Sequence, residues 1–181
     1  MKFTISLTTL ALAVVVFASP VRRGTSTLQT EILQISNAAD ELNNAITLFS
    51  TSPSLVTVLP VTVDLTALTG AVTVATTGAA TSGTITASNS GAIVSSITAL
   101  ASHIDSALTN LVSARPDFNS LLVEPSITTT EANLALLQTA MTAFEDALSS
   151  ELPAVTLAID FDSINNPVTA AINAFGLNLG L

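Results

Sequence analysis

The sequence predicts an all-α protein, an up-and-down bundle of about five helices without disulfides. Three observations support this fold class. Apolar residues recur at steps of three and four over several segments, which is the period of one face of an α-helix. Prolines mark the connections between these segments. The chain of 181 residues contains no cysteine, so the packing of the helices alone must stabilise the fold.

The first 18 residues have the three-part pattern of a secretory signal peptide. A lysine at position 2 precedes an apolar run over residues 10–17, and small residues surround Ala18. This run is too short to span a bilayer comfortably. We therefore predict a signal peptide over residues 1–18 and a secreted protein, located in the extracellular space or the cell wall.

Residues 19–25 are predicted to be a short N-terminus that is either processed or flexible. Arg22 and Arg23 form a dibasic pair, which fits a processing site and fits equally well a flexible terminus that is not cut. The remaining residues, 26–181, predict a single helical-bundle domain, because this length suits one hydrophobic core and no internal boundary is visible.

The first predicted helix covers residues 26–50. Ser26 and Gln29 are expected to form a capping box at its start, and Pro53 follows its end. Its opposite face is polar, as in an amphipathic helix. The apolar line at steps of four and three consists of Leu28, Ile32, Ile35, Ala39, Leu42, Ile46 and Phe49.

Residues 55–88 fit two different structures. The alternation over residues 61–65 is typical of a strand, whereas the spacing over residues 64–77 is typical of a helix with Asp64 as its N-cap. We favour the helix. The following segment, residues 78–90, is rich in Gly, Ser and Thr and is predicted to be a loop.

Residues 90–113 form the third predicted helix, which Pro116 ends. Residues 117–123 predict a short helical turn that brings Phe118 into the core before Pro125 breaks the chain. The apolar line of the third helix consists of Ile93, Ile97, Leu100, Ile104, Ala107 and Leu111.

A long helix is predicted over residues 128–152, with Thr128 and Glu131 as its capping box. Its main apolar line consists of Leu134, Leu137, Met141, Phe144 and Leu148. A second seam, mostly of small residues, lies beside that line and consists of Leu136, Ala140, Ala143 and Ala147. We expect this helix to form one wall of any ligand-binding site, because its apolar surface is wider than a single line.

The last predicted helix runs from Asp162, its expected N-cap, to Gly176. Pro167 falls near its first turn, where a proline is tolerated. The sequence therefore accounts for the whole region after residue 26 as helices and connections.

Charge excludes some partners. The formal net charge is −9, and removal of residues 1–23 would leave Arg115 as the only Lys or Arg against thirteen acids, a formal charge of −12. Nucleic acids and anionic lipid headgroups are bound through basic patches, so neither is an expected partner. We find no second candidate for an integral membrane segment after the leader and predict none.

The sequence offers no catalytic constellation, and we predict a protein that is not an enzyme. His103 is the only histidine, and no G-x-S-x-G motif is present. One histidine without cysteine cannot form a His-rich or thiolate metal site. Asp160 and Asp162 match a D-x-D metal motif, but three residues recur by chance and Asp162 already serves as a helix cap. We therefore predict no catalytic residue, no metal site and no cofactor.

The order of the helices and several stretches carry a resemblance to a known family. After the leader and the first helix come DSALTNLVSARPDFNSL, a long helix and ELPAVTLAIDFDSINNPVTAAINAFG. Over roughly residues 26–176 the chain resembles the fungal hydrophobic surface-binding protein A family, which includes cell-wall galactomannoproteins. The resemblance implies a secreted helical bundle that adsorbs to hydrophobic surfaces, that recruits secreted hydrolases in some relatives, and that holds fatty acids between its helices in others.

An apolar ligand would then lie between the third helix and the helix of residues 128–152. The large apolar side chains that face this space are the predicted lining of the site. They are Leu100, Ile104, Phe118, Leu122, Leu137, Met141 and Phe144. Each buried CH₂ of a fatty acid or other lipid tail would contribute about 0.8 kcal/mol to its binding.

Two further functions stay open at this point. The first is a structural cell-wall or matrix protein whose Ser and Thr side chains are glycosylated and whose core holds no ligand. The second is an enzyme that relies on carboxylates alone, as glycoside hydrolases do. Binding of hydrophobic surfaces or lipid tails by a secreted, non-enzymatic protein is the function that we favour.

Overall fold

A computed structural model describes residues 25–82, 87–121, 124–151 and 159–176. These residues are almost entirely helical and contain no strand, which confirms the predicted all-α class. The predicted signal peptide and residues 19–24 lie outside these ranges. The elements are α1 (Thr25–Thr51), α2 (Leu55–Ser82), α3 (Ala87–Ser113), the short α4 (Arg115–Ser120), α5 (Glu124–Glu151) and α6 (Asp162–Gly176).

The five long helices form a closed ring. The helix α1 packs against α2 on one side and α3 on the other. The helix α5 packs against α2, and α6 closes the ring because it packs against both α3 and α5. The spatial order is therefore α1, α2, α5, α6 and α3, and side chains from all five helices meet in the middle.

Polar contacts between α1 and α3 show that these two helices are parallel. His103 Nδ1 lies 2.6 Å from Asp40 Oδ1, and Asn110 Nδ2 donates to Asn43 Oδ1 at 2.7 Å. The residue numbers of the contacting pairs therefore rise in the same direction along α1 and α3. Since α2 lies between α1 and α3 in sequence, the chain runs up α1, down α2 and up α3 again.

The contacts between α5 and α6 show the opposite arrangement. Gln138 lies against Thr169, and Asn165 Nδ2 donates to Glu145 Oε2 at 3.0 Å. The residue number rises along α5 where it falls along α6, so these two helices are antiparallel. The direction thus alternates along the chain, and α1, α3 and α6 end at the same end of the bundle, which we call the upper end.

The helix α2 differs most from the prediction. It runs from Leu55 to Ser82, so the strand alternative and the start at Asp64 are wrong. Its true cap is Ser54, because the Thr57 backbone N–H donates to Ser54 Oγ at 3.2 Å and the Ser54 N–H donates to Thr57 Oγ1 at 3.1 Å. This reciprocal pair is a capping box. Pro60 lies inside the helix, on an exposed side where water can solvate the carbonyl that it frees.

Other helix starts also differ. The helix α5 begins at Glu124, so Thr128 is an interior residue and the predicted capping box with Glu131 is wrong. The predicted break at Pro125 is wrong, because Pro125 is the second residue of the helix, where a proline needs no backbone N–H. The helix α1 includes Ser26 rather than being capped by it.

The predicted loop over residues 78–90 is wrong on both sides, because α2 continues to Ser82 and α3 begins at Ala87. The helix α4 begins at Arg115 instead of at residue 117. The predicted helix over residues 162–176 is confirmed, but Asp162 is its first helical residue and the prediction that it is the N-cap is wrong.

The apolar lines of α1, α3 and α5 are all buried, as predicted, in one continuous core. The second seam of α5 is a different case. Leu136 and Ala143 are exposed and Ala140 and Ala147 are only half-buried. This seam therefore lies at the edge of α5 and does not form an inner wall of the bundle.

Two glycines of α2 provide a matched test of this packing. Gly78 is buried against α1, and a Cβ there would overlap the buried Glu31 carboxylate. Gly70 has open space where its Cβ would lie. We expect Gly70→Ala to raise the free energy of unfolding by about 0.5–1 kcal/mol, since alanine is the better helix former.

We expect Gly78→Ala to stabilise the protein less than Gly70→Ala does, because the Glu31 carboxylate, at the flexible end of its side chain, must first move away from the new Cβ. Urea denaturation of both variants measures the difference. Equal stabilisation by the two substitutions would contradict the packing of α1 on α2.

Candidate functional site

The predicted lining of the ligand site lies in the core of the bundle. The six described members are all buried, with at most 3% of each side chain exposed. They are Leu100, Ile104, Phe118, Leu137, Met141 and Phe144. Leu122 lies outside the residues whose side chains are described. The structure therefore places these side chains in one apolar core, and their role as a lining stays a prediction.

The helices that carry this predicted lining are not neighbours in the ring. The helices α3 and α5 lie opposite each other, with α6 between them on one side and α1 and α2 on the other. Any ligand between α3 and α5 would therefore occupy the centre of the ring. An acyl chain there would be in contact with all five long helices.

Aromatic side chains close the upper end of this centre. The ring of Phe118 on α4 lies 4.6 Å from that of Phe49 on α1, measured between centroids. It lies 5.3 Å from the ring of Phe175 on α6, in an edge-to-face arrangement. The helix α4 crosses from α3 towards α5 at this point and contacts both. Its burial of Phe118 confirms the prediction that this short segment brings Phe118 into the core.

Arg115 lies beside these aromatic rings and is only 7% exposed. Its guanidinium carbon lies 5.1 Å from the centroid of the Phe175 ring, within the range of a cation–π interaction. Nη1 donates a hydrogen bond to Asn119 Oδ1, one turn along the chain. The sequence predicts no role for this residue beyond its contribution to the net charge. Its isolation as the one base after residue 23 was the signal that could have identified it.

A second apolar feature lies on the outside of the bundle. The helix α2 buries one line of side chains against α1 and α5, yet large apolar side chains also project from the opposite side. We call this the outer face of α2. It consists of Leu55, Val56, Leu59 and Val63, which are 57%, 77%, 62% and 62% exposed, and of Val74.

Threonines on the same side of α2 add little polarity. Thr66, Thr73 and Thr77 each donate their hydroxyl to a backbone carbonyl one turn earlier, at 2.9–3.1 Å. A hydroxyl in such a bond is partly satisfied within the helix, so the side chain presents more of its methyl group to solvent. The outer face is therefore less polar than the number of threonines suggests.

The helix α2 is long and apolar enough to cross a membrane, judged by length and composition alone. In the bundle it packs against α1 and α5. The core helix of a soluble protein passes the same test when it is strongly apolar, so this observation alone defines no membrane segment. The expectation of no integral membrane segment stays a prediction.

The candidate catalytic histidine and the candidate metal-binding aspartates lie at different places on the bundle. His103 is about one-third exposed and pairs with Asp40 on the outside of α1 and α3. Asp160 and Asp162 line an open groove of about 720 Å³ between α3 and α6, together with Asp105. Among the described residues, no group of three or more His, Asp or Glu side chains could hold a metal ion.

These features define a class of protein: an all-α bundle without cysteine, with a continuous apolar core and one apolar outer face. The chain belongs to the hydrophobic surface binding protein A family, whose family model matches residues 25–150. This confirms the resemblance seen in the sequence. No curated protein sequence matches the chain.

Solved structures share the fold. One is a crystal structure of AFMP4P in complex with palmitic acid, with a TM-score of 0.75 and 20% identity, covering 83% of this chain and 99% of that one. The second is ligand-binding domain 1 of the Penicillium marneffei MP1 protein with arachidonic acids, with a TM-score of 0.73, 15% identity and coverage of 83% and 98%. Ligand-binding domain 2 of the same protein, with multiple arachidonic acids, gives a TM-score of 0.72, 19% identity and coverage of 89% and 99%.

The only charged residue of α2 provides a test of how apolar its surroundings are. Burial raises the pKa of the Asp64 carboxyl above its ordinary value, and the negative charge of Glu41 raises it further. The folded protein therefore binds a proton at Asp64 more tightly than the unfolded chain does. The ionised carboxyl lowers stability at neutral pH, and this penalty disappears as the pH falls through the raised pKa.

We expect Asp64→Asn to raise the free energy of unfolding at about pH 7, and this gain to shrink as the pH falls towards about 4, the range in which an aspartate of the unfolded chain begins to bind protons. Urea denaturation of both proteins across this range measures the effect. A variant less stable than the parent at neutral pH would show that Asp64 supports the fold through contacts that its charge requires.

Proposed function

We propose that this protein is a secreted, non-enzymatic binder of hydrophobic surfaces and of fatty-acid or other lipid tails. The observation that carries the first part is the outer face of α2. Leu55, Leu59 and Val63 lie at steps of about one turn, with Val56 beside them. Val74 lies on the same side three turns further on, about 29 Å from Leu55 along the helix. Apolar side chains on the surface are ordinary when scattered, but a contiguous row of them is typical of an interaction site.

The charge of α2 favours an uncharged partner. Asp64 is the only ionisable residue among the 28 of this helix, and it is half-buried. A row without basic residues has no attraction for anionic headgroups. Binding to a wax, a polyester or another neutral apolar solid would instead bury five apolar side chains. This burial favours binding by about 25 cal/mol per Å² of apolar surface removed from water.

The second part of the proposal concerns the core. The relatives of known structure bind palmitic or arachidonic acid, and this chain has the same fold. In a closed ring of five helices only side chains fill the central space. A long acyl chain that entered it would replace contacts between side chains by contacts between side chains and the acyl chain. The predicted lining, which includes Leu137, Met141 and Phe144, lies in this core.

Secretion rests on the signal peptide predicted over residues 1–18, with the extracellular space or cell wall as the location. Recruitment of a secreted hydrolase to an apolar substrate is the role that the family resemblance adds. Neither apolar binding nor recruitment of a hydrolase requires a catalytic group in this chain. An activity screen on glycans and esters that found turnover by the purified protein would overturn the non-enzymatic part of the proposal.

Surface binding is tested by making the outer face of α2 polar. We expect the triple variant Val56→Gln, Leu59→Gln and Val63→Gln to lose most of its adsorption to polystyrene beads, because three of the most exposed apolar side chains are removed. Depletion of the protein from solution measures adsorption, and circular dichroism shows whether the helices remain.

The matched control is the double variant Leu33→Gln and Leu48→Gln on α1. These two leucines are 58% and 55% exposed but stand apart from each other. They are separated by about 22 Å along the helix. We expect this control to adsorb like the parent. Equal losses in both variants, or none in the triple variant, would show that adsorption does not depend on the outer face of α2.

A further inference from the structure

Arg115 is a buried base in a chain that is rich in acids. It is the only Lys or Arg after residue 23, and thirteen acids are present. An ionised side chain is costly to bury unless a partner compensates its charge. Across the described ranges, the structure shows no ion pair between Arg115 and a carboxylate.

The guanidinium of Arg115 is only partly used. Nη1 donates to the amide oxygen of Asn119, which is a neutral acceptor. Nε is buried and has no hydrogen-bond partner among the residues that the structure describes. A guanidinium has five N–H donors, and two adjacent donors along one edge match the two oxygens of a carboxylate. The edge that includes Nε is therefore a carboxylate-binding edge for which no residue in the described ranges supplies the acceptor.

The surroundings of this edge are apolar. The ring of Phe175 lies beside the guanidinium, and Phe118 joins Phe175 to Phe49 in a continuous row of aromatic rings. All three phenylalanines are at least 99% buried. They lie where α1, α4 and α6 meet, at the upper end of the ring of helices. A molecule that met both features would need an anionic head and a long apolar tail.

We propose that Arg115 binds the carboxylate of a fatty acid, with the acyl tail beside these aromatic rings and directed into the centre of the bundle. This inference rests on the acyl-binding part of the proposed function and adds its headgroup chemistry. The ligand is an ionised carboxylic acid, and not a neutral ester, alcohol or wax of the same length. The surface-binding face of α2 plays no part in it.

A structural role alone would explain some of these contacts. Arg115 follows the C-terminus of α3, where the helix dipole favours a positive charge, and it stacks on Phe175. These interactions need the charge and the planar group but leave Nε without a partner. A structural arginine would affect stability and the binding of acidic and neutral ligands alike, whereas a carboxylate-binding arginine discriminates between them.

The experiment compares two ligands with the same tail. The full protein is delipidated, and the binding of radiolabelled palmitate and of radiolabelled methyl palmitate is measured by equilibrium dialysis. We expect the parent to prefer palmitate, and Arg115→Gln to lose about ten- to hundredfold in palmitate affinity, the usual effect of hydrogen bonds to a charged group. The affinity for methyl palmitate should change by much less.

Two further variants complete the test. Arg115→Lys keeps the charge but lacks the planar edge, so we expect intermediate affinity for palmitate, and it replaces Arg115→Gln if the latter does not fold. His103→Gln removes, outside the core, the other side chain of the described residues that can carry a positive charge, and should bind both ligands like the parent.

The outcomes separate the two proposals. A parent that binds palmitate and methyl palmitate equally, with no selective loss in the Arg115 variants, would overturn the Arg115 site and leave acyl binding intact. A parent that binds neither ligand would overturn acyl binding itself, and the Arg115 site with it. A selective loss of palmitate in Arg115→Gln supports both.

Discussion

Apolar packing in the centre of the helical ring is the interaction on which the rest of this structure depends. The chain has no cysteine, and Arg115 is the only Lys or Arg after residue 23, so neither disulfides nor networks of salt bridges stabilise the described helices. Each long helix contributes a buried line, and the aromatic contacts of Phe118 join α1, α4 and α6 at the upper end. Because no disulfide joins one helix to another, side chains in the core can move apart if an inserted ligand replaces the contacts that they lose.

The helix α2 has a different relation to this core from the other long helices. It buries one face like its neighbours but remains apolar on the opposite face, where an amphipathic helix would be polar. A helix of this kind presents an apolar face to its surroundings while the bundle stays folded. Adsorption through the outer face of α2 needs no opening of the bundle. Binding of an acyl chain uses the interior, so the two activities are expected to be separable.

The sequence predicted the parts of the fold in which one pattern dominates. The lines of α1, α3 and α5 are buried as their spacing predicts, because a regular step of three and four residues fits only one face of a helix. For α2 the favoured helix over residues 64–77 is confirmed but is too short at both ends, because β-branched residues and two apolar faces hide the helical period. The predicted starts of α2 and α5 are wrong, because the cap of α2 is Ser54 and Pro125 is the second residue of α5.

The site was predictable to a smaller extent. Large apolar residues such as Leu137 and Phe144 could be assigned to the core from spacing, but spacing cannot show which helices face each other across a ring. The isolation of Arg115 was visible in the sequence, whereas its burial beside Phe175 and its unpartnered Nε were not. These depend on the crossing of α4, which brings together residues that are about sixty positions apart in the chain.

We expect the folded bundle to bind an apolar surface through the outer face of α2, without opening. Hydroxyl-radical footprinting of the protein, free and adsorbed to polystyrene beads, measures which side chains the surface covers. Adsorption should protect Leu55, Leu59 and Val63, with unchanged labelling of Leu33 on α1 and no new labelling of the buried Phe118 or Phe144. New labelling of these phenylalanines, with no protection on α2, would show that the bundle opens to bind and that the outer face of α2 is not the binding surface.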